Sequence, residues 1–255
     1  MVGPAVHPNL PHTRTSPDGP GYAQFLRLPE LLSLQPTPVA PDMLLFVIAH
    51  QAHELWFKAM IFELENVRAA LDSERFDRAA RLLHRLTRMW EMLTAQWAVL
   101  DTMLPADYLA FRGQLTGGSG FESQQFREIE FLAGLEDAGY LQRARLTPEE
   151  EDRLRRRLAQ PSVRERFAAV LGRHDITDPR LLYRGGDEVA ELRRLAEALI
   201  DLDQAAAAWR LRHVLMVERQ IGHKPGTGGS SGTSYLRSRL HLRFFPELWE
   251  ARSGL

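Results

Sequence analysis

The chain has 255 residues, 44% of them hydrophobic and 25% charged, with a formal net charge of −1. That balance is ordinary for a soluble globular protein and excludes the basic excess of a nucleic-acid-binding surface. With no cysteine at all, disulfides and thiolate metal sites are excluded, and a cytoplasmic setting is expected.

Residues 1–20, MVGPAVHPNLPHTRTSPDGP, lack the basic segment followed by an apolar run that marks a signal peptide. Their proline, glycine and polar content predicts a flexible arm. No stretch approaches the roughly 18 apolar residues of a membrane span, so no membrane contact is expected. Pro41 and Asp42 open a long helix running to about Ser73, whose first part is apolar almost all round and therefore central. A second long helix is predicted from Phe76 to Met103, with Leu82, Leu83, Leu86, Met89, Leu93 and Trp97 at helical spacing.

A short helix follows over Asp107 to Leu115, then the loop 116–120 and a helix from Glu122 to Leu135. Thr147-Pro148-Glu149-Glu150 starts a largely charged helix that should face solvent: a Thr cap, a proline at the first position and early acids. A turn is expected over Thr177 to Gly186. The next helix, about Asp187 to Ile221, places Leu192, Leu195, Leu199, Leu202, Ala206, Trp209, His213, Met216 and Gln220 on one face, with Gly222 as its C-cap. A short helix over Tyr235 to Arg243 and a terminal one at Phe245 to Trp249 complete the chain. No repeat or linker divides residues 21–255, which read as a single all-α domain of long antiparallel helices.

Four segments carry residues suited to chemistry. His213 follows Ala205 to Ala208 and Trp209 on the buried stripe, where small side chains leave room; it is either a hydrogen-bonded core residue or a metal ligand. His50 and His53 lie in HQAHE on the first long helix, a spacing that differs from the zinc-protease motif, with Phe46 one turn before His50. The core reading is favoured for His53 and stays open for His50. Gly226 to Gly232, GTGGSSG, lacks both the lysine and the preceding strand of a phosphate loop, and fits a flexible segment that orders over a small ligand. Tyr108 and Arg112 stand one helical turn apart, and Arg112 is a candidate carboxylate clamp. From the residues alone this is a pocket for a small ligand, with no reaction named.

Taken together, YAQFLRLPELLS (22–33), FVIAHQAHELWFK (46–58), Tyr108 to Arg112, SGFESQQFREIE (119–130), Trp209 to Gly232 and FPELW (245–249) resemble the haem-dependent tryptophan 2,3-dioxygenases. The likeness spans most of the chain in order, and the combination of WRLRH, GTGGSSG and FPELW is specific to that family. It implies an all-helical homotetramer that binds haem b through its iron and uses O2 to oxidise L-tryptophan to N-formylkynurenine. By position, His213 would be the iron ligand, with Trp97 and Ser119 lining the haem. His50 would be the catalytic residue on the opposite side, accepting a hydrogen bond from the indole N–H. Phe46 would form an apolar wall beside Tyr108, Arg112 would hold the substrate carboxylate, and Thr227 would close over its amino-acid end. Tyr22, Phe25 and Leu26 match an N-terminal segment that reaches the neighbouring subunit's pocket.

Two departures stand out: Phe25 replaces a tyrosine usual in the family, and the segment between Leu135 and Trp209 is shorter than usual and resembles the family poorly. The same superfamily includes haem monooxygenases that add one oxygen to an indole in natural-product biosynthesis. A non-catalytic haem or indole sensor is a third reading.

Overall fold

Apolar side chains spaced by three and four residues fold this chain into helices, and no strand occurs among the described residues. The structure, a computed structural model, describes residues 20–115, 122–137, 139–227 and 231–255. Its contacts separate residues 1–37 from residues 38–255. In the N-terminal unit two single turns, α1 (Tyr22–Phe25) and α2 (Leu28–Leu31), flank Arg27, whose left-handed backbone ends the first and starts the second. Tyr22, Phe25 and Leu26 are exposed. The arm predicted over residues 1–20 lies, apart from Pro20, outside the described residues.

The second unit is built on α3 (Met43–Asp72), α4 (Phe76–Leu100) and α11 (Ala190–Ile221). Only residues 73–75 join α3 to α4, so the two lie antiparallel, with Glu74 taking the left-handed conformation in the turn. Trp97 of α4 meets His213 and Leu100 receives Gln220, whereas Trp90 meets Trp209; α11 therefore runs in the same direction as α4. The core between them is fully buried Leu64, Val67 and Leu71 of α3, Leu83, Leu86 and Leu93 of α4, and Leu195 and Leu199 of α11. Each such leucine contributes roughly 1.5–3 kcal/mol relative to an exposed one. Gly222 ends α11 at φ 57°, ψ −128°, a conformation that a side chain strongly disfavours.

Shorter helices wrap this trio: α5 (Pro105–Arg112), α6 (Gln124–Ala133), α7 (Tyr140–Arg143), α8 (Pro148–Leu158), α9 (Val163–Arg173), α10 (Leu181–Arg184), α12 (Thr233–Ser238) and α13 (Pro246–Ser253). The helix predicted to reach Leu115 stops at Arg112 and tightens into a 3-10 turn over Gly113–Leu115. The turn predicted at 177–186 contains α10, and α9 has no counterpart in the sequence reading. The charged helix α8 is less solvated than its composition predicts, because Leu154 is fully buried.

Thr147 caps α8 as the sequence predicts. Its hydroxyl accepts from the Glu150 N–H at 3.3 Å, and the Glu150 carboxylate accepts from the Thr147 N–H at 2.8 Å. Thr147→Ala should lower the unfolding free energy by about 1 kcal/mol, measured from urea denaturation of the purified protein; an unchanged midpoint would show that the cap contributes nothing.

Candidate functional site

α3, α4, α5, α6, α11 and α12 enclose a cavity of about 570 Å³, within the ~300–1,000 Å³ that small-molecule and cofactor pockets occupy. Its wall includes Phe46, His50, Trp97, Tyr108, Arg112, His213 and Thr227, so side chains far apart in the chain face one space. Ser119 lies outside the described residues. Tyr22, Phe25 and Leu26 belong to the N-terminal unit. On α11 the cavity wall begins at Trp209; Ala206 is core, so the alanine run does not open the space beside His213 as the sequence suggested.

His50 and His53 each turn Nδ1 back onto the carbonyl four residues earlier, Phe46 at 2.7 Å and Ala49 at 2.8 Å. A carbonyl only accepts, so Nδ1 carries the proton in both rings and Nε2 presents a lone pair. In His53 that lone pair takes the Trp209 indole N–H at 3.4 Å, and the residue is 3% exposed. The core reading of His53 is therefore the structural one. In His50 the acceptor nitrogen remains available to the cavity, and Phe46 packs over the ring at 4.1 Å.

His213 packs against both Trp97 at 4.8 Å and Trp209 at 5.5 Å, which also touch each other at 5.4 Å. No hydrogen-bond partner holds either of its ring nitrogens among the described residues. Burial, reinforced by the neighbouring His50 and His53, pushes its pKa down to about 3, and burial takes His53 to about 4; His50 is shifted in the same direction by burial. All three are neutral imidazoles at neutral pH. In the unfolded chain they bind protons below an ordinary pKa of 6.5. The unfolded state thus binds more protons than the folded state between about pH 6.5 and pH 4, and stability falls as pH drops through that window. Urea midpoints of the protein should decline steadily from pH 7 to pH 4; a flat profile would contradict neutral burial.

At the other end of the cavity, Arg112 donates from Nη2 to the Pro225 carbonyl, tying α5 to the segment that carries Gly226 and Thr227. The loop turns back at Gly232, with φ +65°, where a Cβ would meet the Lys224 carbonyl oxygen at 2.4 Å. Only glycine fits that approach. Burial pushes the Tyr108 phenol pKa up, which keeps its hydroxyl protonated beside Arg112.

The family model for tryptophan 2,3-dioxygenase matches residues 7–175 and 166–255. The chain belongs to the tryptophan 2,3-dioxygenase family. It is 44% identical to the tryptophan 2,3-dioxygenase of a Nocardioides species over 92% of this chain and 94% of that one. Identity is 40% to that of Caulobacter vibrioides, covering 92% and 98%, and 39% to that of Myxococcus xanthus, covering 92% and 89%. Within this family frame, several wall residues were not singled out by the sequence.

Arg127, Arg210 and Arg239 converge on the one carboxylate of Glu130, Arg210 at 3.2 Å and Arg239 at 3.5 Å, and Arg239 also reaches Asp137 at 3.2 Å. Arg127 further donates to the Tyr235 hydroxyl at 3.1 Å. Arg127, Glu130 and Arg210 are all buried, an arrangement that requires mutual neutralisation or an added anion. Glu54, one turn from His50, accepts from the Ser123 hydroxyl at 2.6 Å and the Gln125 amide at 2.8 Å, fixing the start of α6 at the cavity. The arginines escape a periodicity reading because buried charge is legible only once its partners from α6, α11 and α12 are brought together.

These features fit the haem that the resemblance implies. The imidazole of His213 is neutral and carries no hydrogen bond among the described residues, as a residue that would hold the haem iron must be. The indole N–H of Trp97 is buried without a partner among the described residues, and the cavity wall carries more guanidinium than carboxylate, suited to a macrocycle with anionic substituents. Among the described residues no three His, Asp or Glu side chains gather as a metal-ion site, so the His50–His53 pair lacks the third ligand that a bare metal would need.

Proposed function

We propose that this protein is a haem-dependent oxidoreductase that inserts both atoms of O2 across the indole C2–C3 bond of L-tryptophan, giving N-formylkynurenine. What carries the reading is the convergence, in a chain of this family, of His213, His50, Arg112 and Thr227 on a single cavity. His213 would hold haem b at its iron, with Trp97 and Ser119 beside it and Arg127, Arg210 and Arg239 available to its carboxylates. When bound, the haem supplies the activation of O2.

The remaining work is orientation. Nε2 of His50 accepts the indole N–H, which sets the edge of the ring that faces the oxidant. Phe46 supplies an apolar wall, stiffened by Tyr108 at 5.7 Å and Phe111 at 5.5 Å. Arg112 takes the substrate carboxylate with donors left over from its bond to Pro225, and Thr227 closes over the amino-acid end. Holding both ends of the substrate converts an encounter into a fixed approach, the proximity contribution to rate. We further propose a homotetramer in which Tyr22, Phe25 and Leu26 of one subunit reach the pocket of a neighbour.

His50→Ala should keep its haem spectrum while raising KM for tryptophan roughly 2–10-fold, the size of one neutral hydrogen bond. A haem-free variant would remove His50 from the substrate side. The reading as a whole is tested by O2 uptake: consumption should require L-tryptophan and match N-formylkynurenine one for one. Tryptophan-dependent spectral shifts without O2 consumption would indicate a sensor instead.

A further inference from the structure

A second cleft of about 320 Å³ lies away from the cavity just described, between α3, α6 and α8. Lys58, Arg153 and Arg156 line it together with Gln125, Gln160 and Arg157. The basic residues of α8 divide into two kinds. Arg155 is paired with Glu151, and Arg157 with Glu65 and Glu128. Lys58, Arg153 and Arg156 have no carboxylate partner among the described residues.

The single carboxylate on the wall cannot serve them. One oxygen of Glu128 takes Arg157 at 2.7 Å and the other takes the Gln124 amide at 3.0 Å. Behind the cleft, Gln160 accepts from Arg68 at 3.2 Å and from Arg157 at 3.5 Å, which leaves its amide N–H groups as donors. The Arg68 pKa is lowered mainly by burial, with the like charges of Arg157 and Arg166 adding to the shift and Glu65 and Asp72 opposing it. A concave wall with four basic side chains and one carboxylate carries net positive charge, which concentrates counter-ions of the opposite sign.

The cleft also has a mechanical link to the oxygenase cavity. Gln125 lines the cleft and donates to both the backbone carbonyl, at 2.9 Å, and the carboxylate of Glu54. Glu54 in turn lines the main cavity one turn from His50. We propose that this cleft is an effector site for a compact anion carrying two or more negative oxyanion groups, sensed at the catalytic cavity through Gln125 and Glu54. The ligand bridges Lys58, Arg153 and Arg156 by charge-assisted hydrogen bonds, and the Gln160 amide completes the donor set.

The test uses the haem-loaded protein, with pyrophosphate and citrate as separate probes and sodium chloride at matched ionic strength as the control for screening. Calorimetry should show saturable binding of at least one probe, and that probe should shift KM for tryptophan by about 5-fold or more, the lower end of ordinary allosteric couplings. Both effects should vanish in the triple variant Lys58→Gln, Arg153→Gln, Arg156→Gln, whose residues touch neither substrate nor haem. The pyrophosphate and citrate arms distinguish a phosphate-bearing effector from a polycarboxylate. Heats that are absent, or equal in the triple variant, overturn the site. Saturable binding with an unchanged KM overturns the effector role. Because binding is read by calorimetry, failure here is distinct from failure of the oxygenase reading, which O2 uptake reports without any anion present.

Discussion

His213→Ala yields a folded protein that no longer retains haem. The imidazole is neutral, faces the cavity and has neither ring nitrogen hydrogen-bonded among the described residues, whereas His53 has both nitrogens engaged and His50 keeps one on the Phe46 carbonyl, leaving only Nε2 to the cavity. Its ring packs against both Trp97 and Trp209, so ligation costs little conformational entropy, and alanine removes the donor without adding a clash. The helical content should survive, because the packing of α3, α4 and α11 rests on the leucines rather than on His213. Absorbance in the Soret region after reconstitution and desalting measures the outcome; a variant with wild-type haem content removes His213 as the ligand.

Arg112→Leu raises KM for tryptophan on the order of 10–100-fold, the equivalent of a charge-assisted pair worth about 1.5–3 kcal/mol. The substitution also releases the loop, since Arg112 is what joins α5 to the Pro225 carbonyl. Arg112→Lys separates the two roles: it keeps a positive charge but loses the planar fork that can bind a carboxylate and a carbonyl together. Steady-state kinetics on the three proteins should place lysine between arginine and leucine. Kinetics unaltered by leucine would assign the carboxylate to another group.

The long helices were legible because their apolar residues recur every three or four positions, and Thr147 and Gly222 announce their roles by residue type. α9 carries the same capping pattern, with Ser162 and Glu165 bonded to each other's backbone, yet no helix is predicted there. Val163, Phe167, Val170 and Leu171 make too short a stripe in a charged stretch for periodicity to register. At the site, Phe46, His50, Arg112, His213 and Thr227 were found through motifs, and the structure brings them to one cavity. The core reading favoured for His53 from HQAHE agrees with the structure, but its reason, the Trp209 indole N–H donated across from α11, was not readable from that motif. Nor was the arginine cluster around Glu130 readable, since its members come from α6, α11 and the C-terminal end of α12.

The most direct test of the central claim is mass spectrometry of the product formed from L-tryptophan under isotopically heavy O2 by the haem-loaded, reduced protein. The account predicts N-formylkynurenine carrying both heavy atoms. A product carrying only one would contradict it and make the protein a monooxygenase built on the same cavity.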